Sequence, residues 1–378
     1  MLFSIALRWN SGTVRSWPKR TDHSAVDRWL NHIFAIGVNC DKTYRMVKIL
    51  LLLSLAAIAM AQTAPVTRPS MGRILRENPL LDQLLDRDAK IEVLASGMAW
   101  SEGPVWVKDG KYLLFSDIPN NSVMKWSEAD GLSLFMKPSG YTGLGPYSHE
   151  PGSNALTLDS EGRLVSCEHG DRRISVLTKG GGKRTLVDNY QGKRLNSPND
   201  LVFKSNGDLY FTDPPYGLPS PESPLREMDF CGVFRHSKNG SMTLLTKELS
   251  RPNGLAFSPD EKTLYVANSD PDHAVWMAYP VNADGTLGKG RVFADVTQMV
   301  KDNQPGLPDG MKIDHNGNLW AAGPGGIHIY APDGKRLGRI DTGQRTANCN
   351  WGEDGSTLYI AADSYLCRLR TKTKGNGW

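Results

Sequence analysis

Apolar and aromatic residues run through this chain in short stretches, separated by Gly-, Asp- and Asn-rich turns. The stretch 197–213 shows the unit. Leu201 and Phe203 alternate with polar neighbours, Ser205-Asn206-Gly207 turns the chain, and Leu209 to Thr212 returns in Tyr- and Phe-rich sequence. That pattern predicts a β-hairpin. Its return strand, a leucine followed by apolar or aromatic residues and then a small one, recurs at Leu113, Leu164, Leu209, Leu264, Leu319 and Leu358. The intervals are 51, 45, 55, 55 and 39 residues, and most copies follow a turn signal such as Asp109-Gly110, Asn206-Gly207 or Asn316-Gly317. Short strands at such a period predict an all-β fold, a β-propeller with about four strands per blade. Six copies predict six blades.

A second pattern keeps the same phase. Ten or eleven residues before each leucine stand Glu102, Asn154, Asn199, Asn253, Asp309 and Asn348, every one with a side-chain oxygen. Equivalent positions at the heads of the innermost strands of a propeller converge on its central channel. Oxygen donors around one axis suit a hard cation. For one such residue alone a turn cap is the simpler reading, and Asn154 and Asn348 stay open to it. Glu102, Asn199, Asn253 and Asp309 together supply two carboxylates and two amides, enough negative charge to neutralise a divalent cation. The expected metal is Ca²⁺, which takes about six to eight oxygens. Mg²⁺, Mn²⁺ and Zn²⁺ are the alternatives, and a ring without His or Cys argues against zinc.

The start of the chain calls for a separate reading. Met46-Val47-Lys48 leads into an apolar run that ends at Ala59-Met60-Ala61, the layout of a secretory signal peptide over residues 46–61. The run is short for a membrane span, so the expected location is periplasmic or secreted, free of the membrane after cleavage. Residues 1–45 carry no repeat and are read as an extension upstream of the biological start, or as a disordered leader. This changes the charge. The whole chain has a formal net charge of +4, but residues 1–61 hold 8 of its 44 Lys and Arg and 3 of its 40 Asp and Glu, which leaves 36 basic and 37 acidic residues. Nothing in that balance points to nucleic acid.

Beyond Cys40, the cysteines are Cys167, Cys231, Cys349 and Cys367, with no C-x-x-C spacing for a zinc ribbon or a redox motif. Cys349 and Cys367 fall in the last blade and are read either as a disulfide, which export permits, or as buried thiols. Residues 62–87 are expected to form a tether and a short amphipathic helix within Ile74 to Leu85. Lys90 to Leu94 is expected to join the last blade and close the ring. The propeller is expected over 88–370 and a frayed tail over 371–378. The loop 140–153 should hang over the channel mouth and offers His149 or Glu150. A Pro-rich loop after Asp213 is a candidate lid containing Tyr216. Glu168 and His169, adjacent at a strand end, join Tyr216 as candidates for a substrate-binding wall. Asp200 is read as a partner of local backbone. There is no G-x-S-x-G elbow, P-loop or dinucleotide fingerprint.

The segments SEGPVW, SPNDLVF, GDLYFTDPPYG, RPNGLAFSPD and LPDGMKID closely resemble the gluconolactonase branch of the family that includes senescence marker protein and luciferin-regenerating enzyme. The resemblance spans roughly Ala89 to Cys367. It implies a six-bladed propeller with a divalent metal in the central channel and hydrolysis of a small-molecule sugar lactone. Residue by residue, it implies metal ligation by Glu102, Asn199, Asn253 and Asp309. Diisopropyl fluorophosphatase, a related propeller, uses a similar Glu/Asn/Asn/Asp set on Ca²⁺. Animal lactonases carry a substrate-contacting Arg where this chain has Ser197, so the sugar contacts here are expected to differ. The expected chemistry is attack of water on a metal-polarised lactone carbonyl. Asp309 is the first candidate for general base and Glu102 the reserve, while Asn199 touches metal and substrate. The alternatives are an esterase or phosphotriesterase on the same site, and a ligand-binding propeller with a structural metal.

Overall fold

Each recurring leucine lies at the first or second position of the second strand of an antiparallel sheet in the computed structural model, which describes residues 68–378. The signal peptide read at 46–61 and the leader 1–45 lie outside the described residues. Six sheets of four or five strands follow one another along the described chain: blade one over 101–136, blade two 153–187, blade three 201–246, blade four 252–295, blade five 311–341 and blade six 346–370. The one α-helix among the described residues, Thr297–Lys301, is a single turn and a half after blade four. None of the described helices is long and apolar enough to cross a membrane.

The core sits between blades, which explains the pattern that located them. In blade three Leu209 and Phe211 pack with Val165 and Ile174 of blade two, whereas Tyr210 packs with Leu255 and Leu264 of blade four. Successive residues of a strand point to opposite faces. A second strand is buried on both, so it reads as a continuous apolar run instead of an alternating one. Each fully buried Leu or Phe contributes about 1.5–3 kcal/mol.

The innermost, first strands carry the oxygen-bearing residues at an irregularity. The register slips at Glu102/Val105, Ser153/Leu156, Pro252/Leu255 and Thr346/Asn348. Such bulges twist a strand locally and re-aim a side chain. In blades three and five the same residues, Asn199 and Asp309, lie just ahead of the strands Leu201–Phe203 and Met311–Ile313.

Closure uses more of the N-terminal segment than the sequence indicates. Ile91–Ser96 pairs with Tyr365–Arg370 of blade six, as expected, and Ser70–Met71 adds a further strand outside it. The segment expected to be a helix begins as a strand, Arg73–Arg76, paired with blade five across Gly338 to Asp341. Only one 3-10 turn follows, Pro79–Gln83, capped by Asn78. The tail is not frayed: Lys372 N–H donates to Leu84 C=O at 2.8 Å, Thr373 is buried against Asp314, and Lys108 stacks on the Trp378 ring. All four described cysteines are buried and free. Cys349 and Cys367 both stand opposite Ile360, on the two strands that flank it. Two strand spacings, about 9–10 Å, are beyond disulfide reach.

Candidate functional site

Glu102, Asn199, Asn253 and Asp309 line one cavity of ≈ 400 Å³ at the centre of the ring. The inner strands approach closely there, because the residue after each ring position is small in most blades. A Cβ on Gly103 would stand 2.5 Å from Asn154 O, and one on Gly254 would stand 2.3 Å from Asp309 O. These glycines allow the ring to be narrow enough for side chains from different blades to share one space.

The donors are individually oriented. Asn253 Nδ2 donates to Ser269 Oγ at 2.9 Å, which leaves its carbonyl oxygen free. Glu102 Oε2 accepts from Asn348 Nδ2 at 2.9 Å and also from the Gly103 N–H. Asn348 is therefore more than a turn cap: it holds a ring carboxylate. Asn154 also lines the cavity, its Nδ2 lying 3.3 Å from His169 Nε2.

Asp200 was not legible as a site residue, yet it is buried among these groups. Its Oδ1 accepts from Leu201 N–H at 2.8 Å, as a local backbone partner would, but Oδ2 has no hydrogen-bond partner. The signal was present in the repeat: Asp200 follows a ring residue where the other blades have Gly103, Ala155, Gly254, Gly310 and Cys349. Burial raises the pKa of Glu102, and repulsion from Asp200 adds to it. Asp309 is raised by burial and then by Glu102 and Asp200. Lys312 opposes the rise at Glu102 and at Asp200.

This donor set fits a hard dication. Buried carboxylates that repel one another are relieved by a bound cation, and free carbonyl and carboxylate oxygens are what Ca²⁺ or Mg²⁺ selects. Among the described residues no three His, Cys, Asp or Glu side chains form a metal site by themselves. The amides would be needed to complete one, and with no thiol or imidazole in the ring the set is a poor match to zinc.

Of the three residues expected on a substrate wall, only Tyr216 lines the cavity. Burial raises its pKa. Glu168 does not reach the cavity. It is fully buried in blade two, paired with Arg173 Nε and Lys183 Nζ at 2.6 Å each and bonded to Ser175. Its neighbour His169 lies in the turn just past the end of that strand, Leu164–Glu168. The imidazole is fully buried behind the cavity, against Asn154 and the Glu150 carbonyl. Glu150 from the loop 140–153 is on the cavity wall, as are Arg345 and Trp100, which the sequence did not single out.

Residues 100–364 match the family model described as SMP-30/Gluconolactonase/LRE-like region. The chain is 47% identical over 313 residues to the gluconolactonase of Zymomonas mobilis, covering 81% of this chain and 88% of that protein. It is 27% identical to the pentonolactonase of Haloferax volcanii over 267 residues, 68% of this chain and 80% of that one. Among solved structures it superposes on a gluconolactonase from Xanthomonas campestris with a TM-score of 0.70 at 32% identity, covering 82% of this chain and 99% of the other. Six blades, a converging oxygen ring and these likenesses agree, and the chain belongs to the SMP-30/gluconolactonase/LRE-like family.

Proposed function

We propose that this protein hydrolyses a sugar lactone, with a divalent cation held by Glu102, Asn199, Asn253 and Asp309, and that it works in the periplasm or outside the cell. The observation that carries the reading is the convergence of those four side chains, from four different blades, on one open cavity. At ≈ 400 Å³ the cavity is in the size range of small-molecule sites. Relatives that match most of this chain are named for lactone hydrolysis. Ca²⁺ is the preferred cation because the donors are all oxygen.

When bound, the cation supplies Lewis-acid polarisation of the lactone carbonyl. The chain's own residues do the rest. Asp309 accepts a proton from the attacking water. A carboxylate on a cation is a weakened base, but it still serves if one oxygen faces the water, because a lactone is an activated ester. Glu102 is less suited, since Oε2 already accepts two hydrogen bonds. Asn199 holds the cation and borders the substrate, and Tyr216 offers a flat wall and a hydroxyl to the sugar. Asp309→Ala is expected to abolish both Ca²⁺ binding and turnover of glucono-δ-lactone. Full lactonase activity in that variant would contradict the assignment.

A further inference from the structure

Glu150 lines the same cavity as the ring, but it comes from the loop between blades one and two and not from an inner strand. Its carboxylate accepts no hydrogen bond from any described residue. His169 Nδ1 is 3.8 Å from Oε2, beyond hydrogen-bond distance, and the side chain keeps 36% of its surface open. A carboxylate with no protein partner, open to the cavity that the ring lines, is free to meet a ligand there.

The backbone that follows it, and the start of its loop, are held by hydrogen bonds. Gly152 N–H donates to Ile118 C=O at 3.0 Å, and His169 and Gly170 N–H donate to Gly152 and Pro151 C=O at 3.1 Å each. His169 Nδ1 donates to the Glu150 carbonyl at 3.2 Å, which leaves Nε2 to accept from Asn154. At the other end of the loop Asn121 Oδ1 accepts from Gly140 N–H at 2.8 Å and Tyr141 N–H at 3.1 Å. Tyr141 and Tyr147 stack on each other in between. A rigid mount that carries an unpartnered acid into the cavity is the arrangement of a reacting group.

We propose that Glu150 is a catalytic general acid, protonating the ring oxygen of the lactone as the acyl C–O bond breaks. This rests on the lactonase reading above. The balance closes: the water oxygen bonds to the acyl carbon and its proton passes to Asp309, while the acyl–ring oxygen bond breaks and the ring oxygen takes the Glu150 proton. The product acid ionises, Asp309 returns its proton to solvent and Glu150 is recharged from it. In support, burial raises the pKa of Glu150, which favours the protonated form that a general acid needs. The titratable and charged groups around it are His169 behind, and Tyr216, Asp309, Glu102 and Arg345 on the shared cavity wall.

The test is Glu150→Gln in the full-length protein with Ca²⁺. Turnover of glucono-δ-lactone is expected to fall about 100-fold or more, while a p-nitrophenyl ester, whose leaving phenolate needs no proton, loses little. Ca²⁺ affinity by calorimetry should be unchanged, and the loss of wild-type kcat as pH rises should be missing from the residual activity of the variant. Equal losses on both substrates, an undiminished lactone rate, or lost Ca²⁺ binding would each overturn the proposal. A wild-type protein that is inert on all sugar lactones would instead overturn the lactonase reading, and this proposal with it.

Discussion

Asn348 Nδ2 donates a 2.9 Å hydrogen bond to Glu102 Oε2, so the last blade fixes the orientation of a carboxylate contributed by the first. The bond joins residues 246 positions apart, across the point where the ring closes. Partners that orient a ligand are typically worth about 10–100-fold in metal affinity. Asn348→Ala is expected to weaken Ca²⁺ binding by about that factor while leaving the propeller folded. Calorimetric titration of the variant checks this, and an unchanged affinity would remove Asn348 from the site.

Glu168 is expected to behave as a structural residue. Glu168→Gln leaves Arg173 and Lys183 facing a neutral amide in a buried position. Removing one partner of a buried ion pair costs about 3–5 kcal/mol. The variant should therefore unfold at clearly lower urea, with Ca²⁺ affinity and lactone KM unaltered. A raised KM at wild-type stability would instead return Glu168 to the substrate wall.

Acid sensitivity follows from two buried histidines. His328 in blade five donates from Nε2 to Pro324 C=O at 2.9 Å, packs against Trp276 and Tyr330, and has its pKa lowered by burial from 6.5 to about 3. The unfolded chain then binds this proton more readily than the folded one. Stability is retained above the unfolded pKa and lost as pH falls below it, by about 2 kcal/mol for one such group between about pH 7 and 5. His169, lowered to about 4 by burial, works in the same direction. His328→Asn should be less stable at neutral pH and should lose this share of the pH dependence, read by denaturant unfolding as the difference from wild type, because the raised carboxylates Glu102 and Glu150 act in the opposite direction over the same window. A variant whose pH dependence matches that of wild type would contradict the burial argument.

How much could be read from sequence depended on where each residue's partners lie. Leu113, Leu209 and Leu264 announced their strands because a second strand is buried on both faces, a property carried by consecutive residues. The ring was legible through phase: Glu102, Asn199, Asn253 and Asp309 each stand ten or eleven residues before the recurring leucine of their blade. Asp200 breaks the rule for small residues after a ring position, which shows once the six repeats are aligned. The role of Glu168 depends on Lys183, 15 residues away across two strand turns, and no local pattern encodes that pairing. At the N-terminus Leu81, Leu84 and Leu85 do pack at helical spacing. The helix is cut short because Asn78 and Pro79 cap it late and Arg73–Arg76 finds a strand partner 268 to 262 residues onward in blade five.

The most direct measurement is hydrolysis of glucono-δ-lactone by the purified protein above the spontaneous rate. It should be followed before and after EDTA, with Ca²⁺, Mg²⁺, Mn²⁺ or Zn²⁺ added back. The account predicts turnover that EDTA abolishes and Ca²⁺ restores. Turnover that persists after complete removal of metal would contradict the metal-dependent mechanism, and no turnover on any sugar lactone with any of these metals would contradict the proposed function itself.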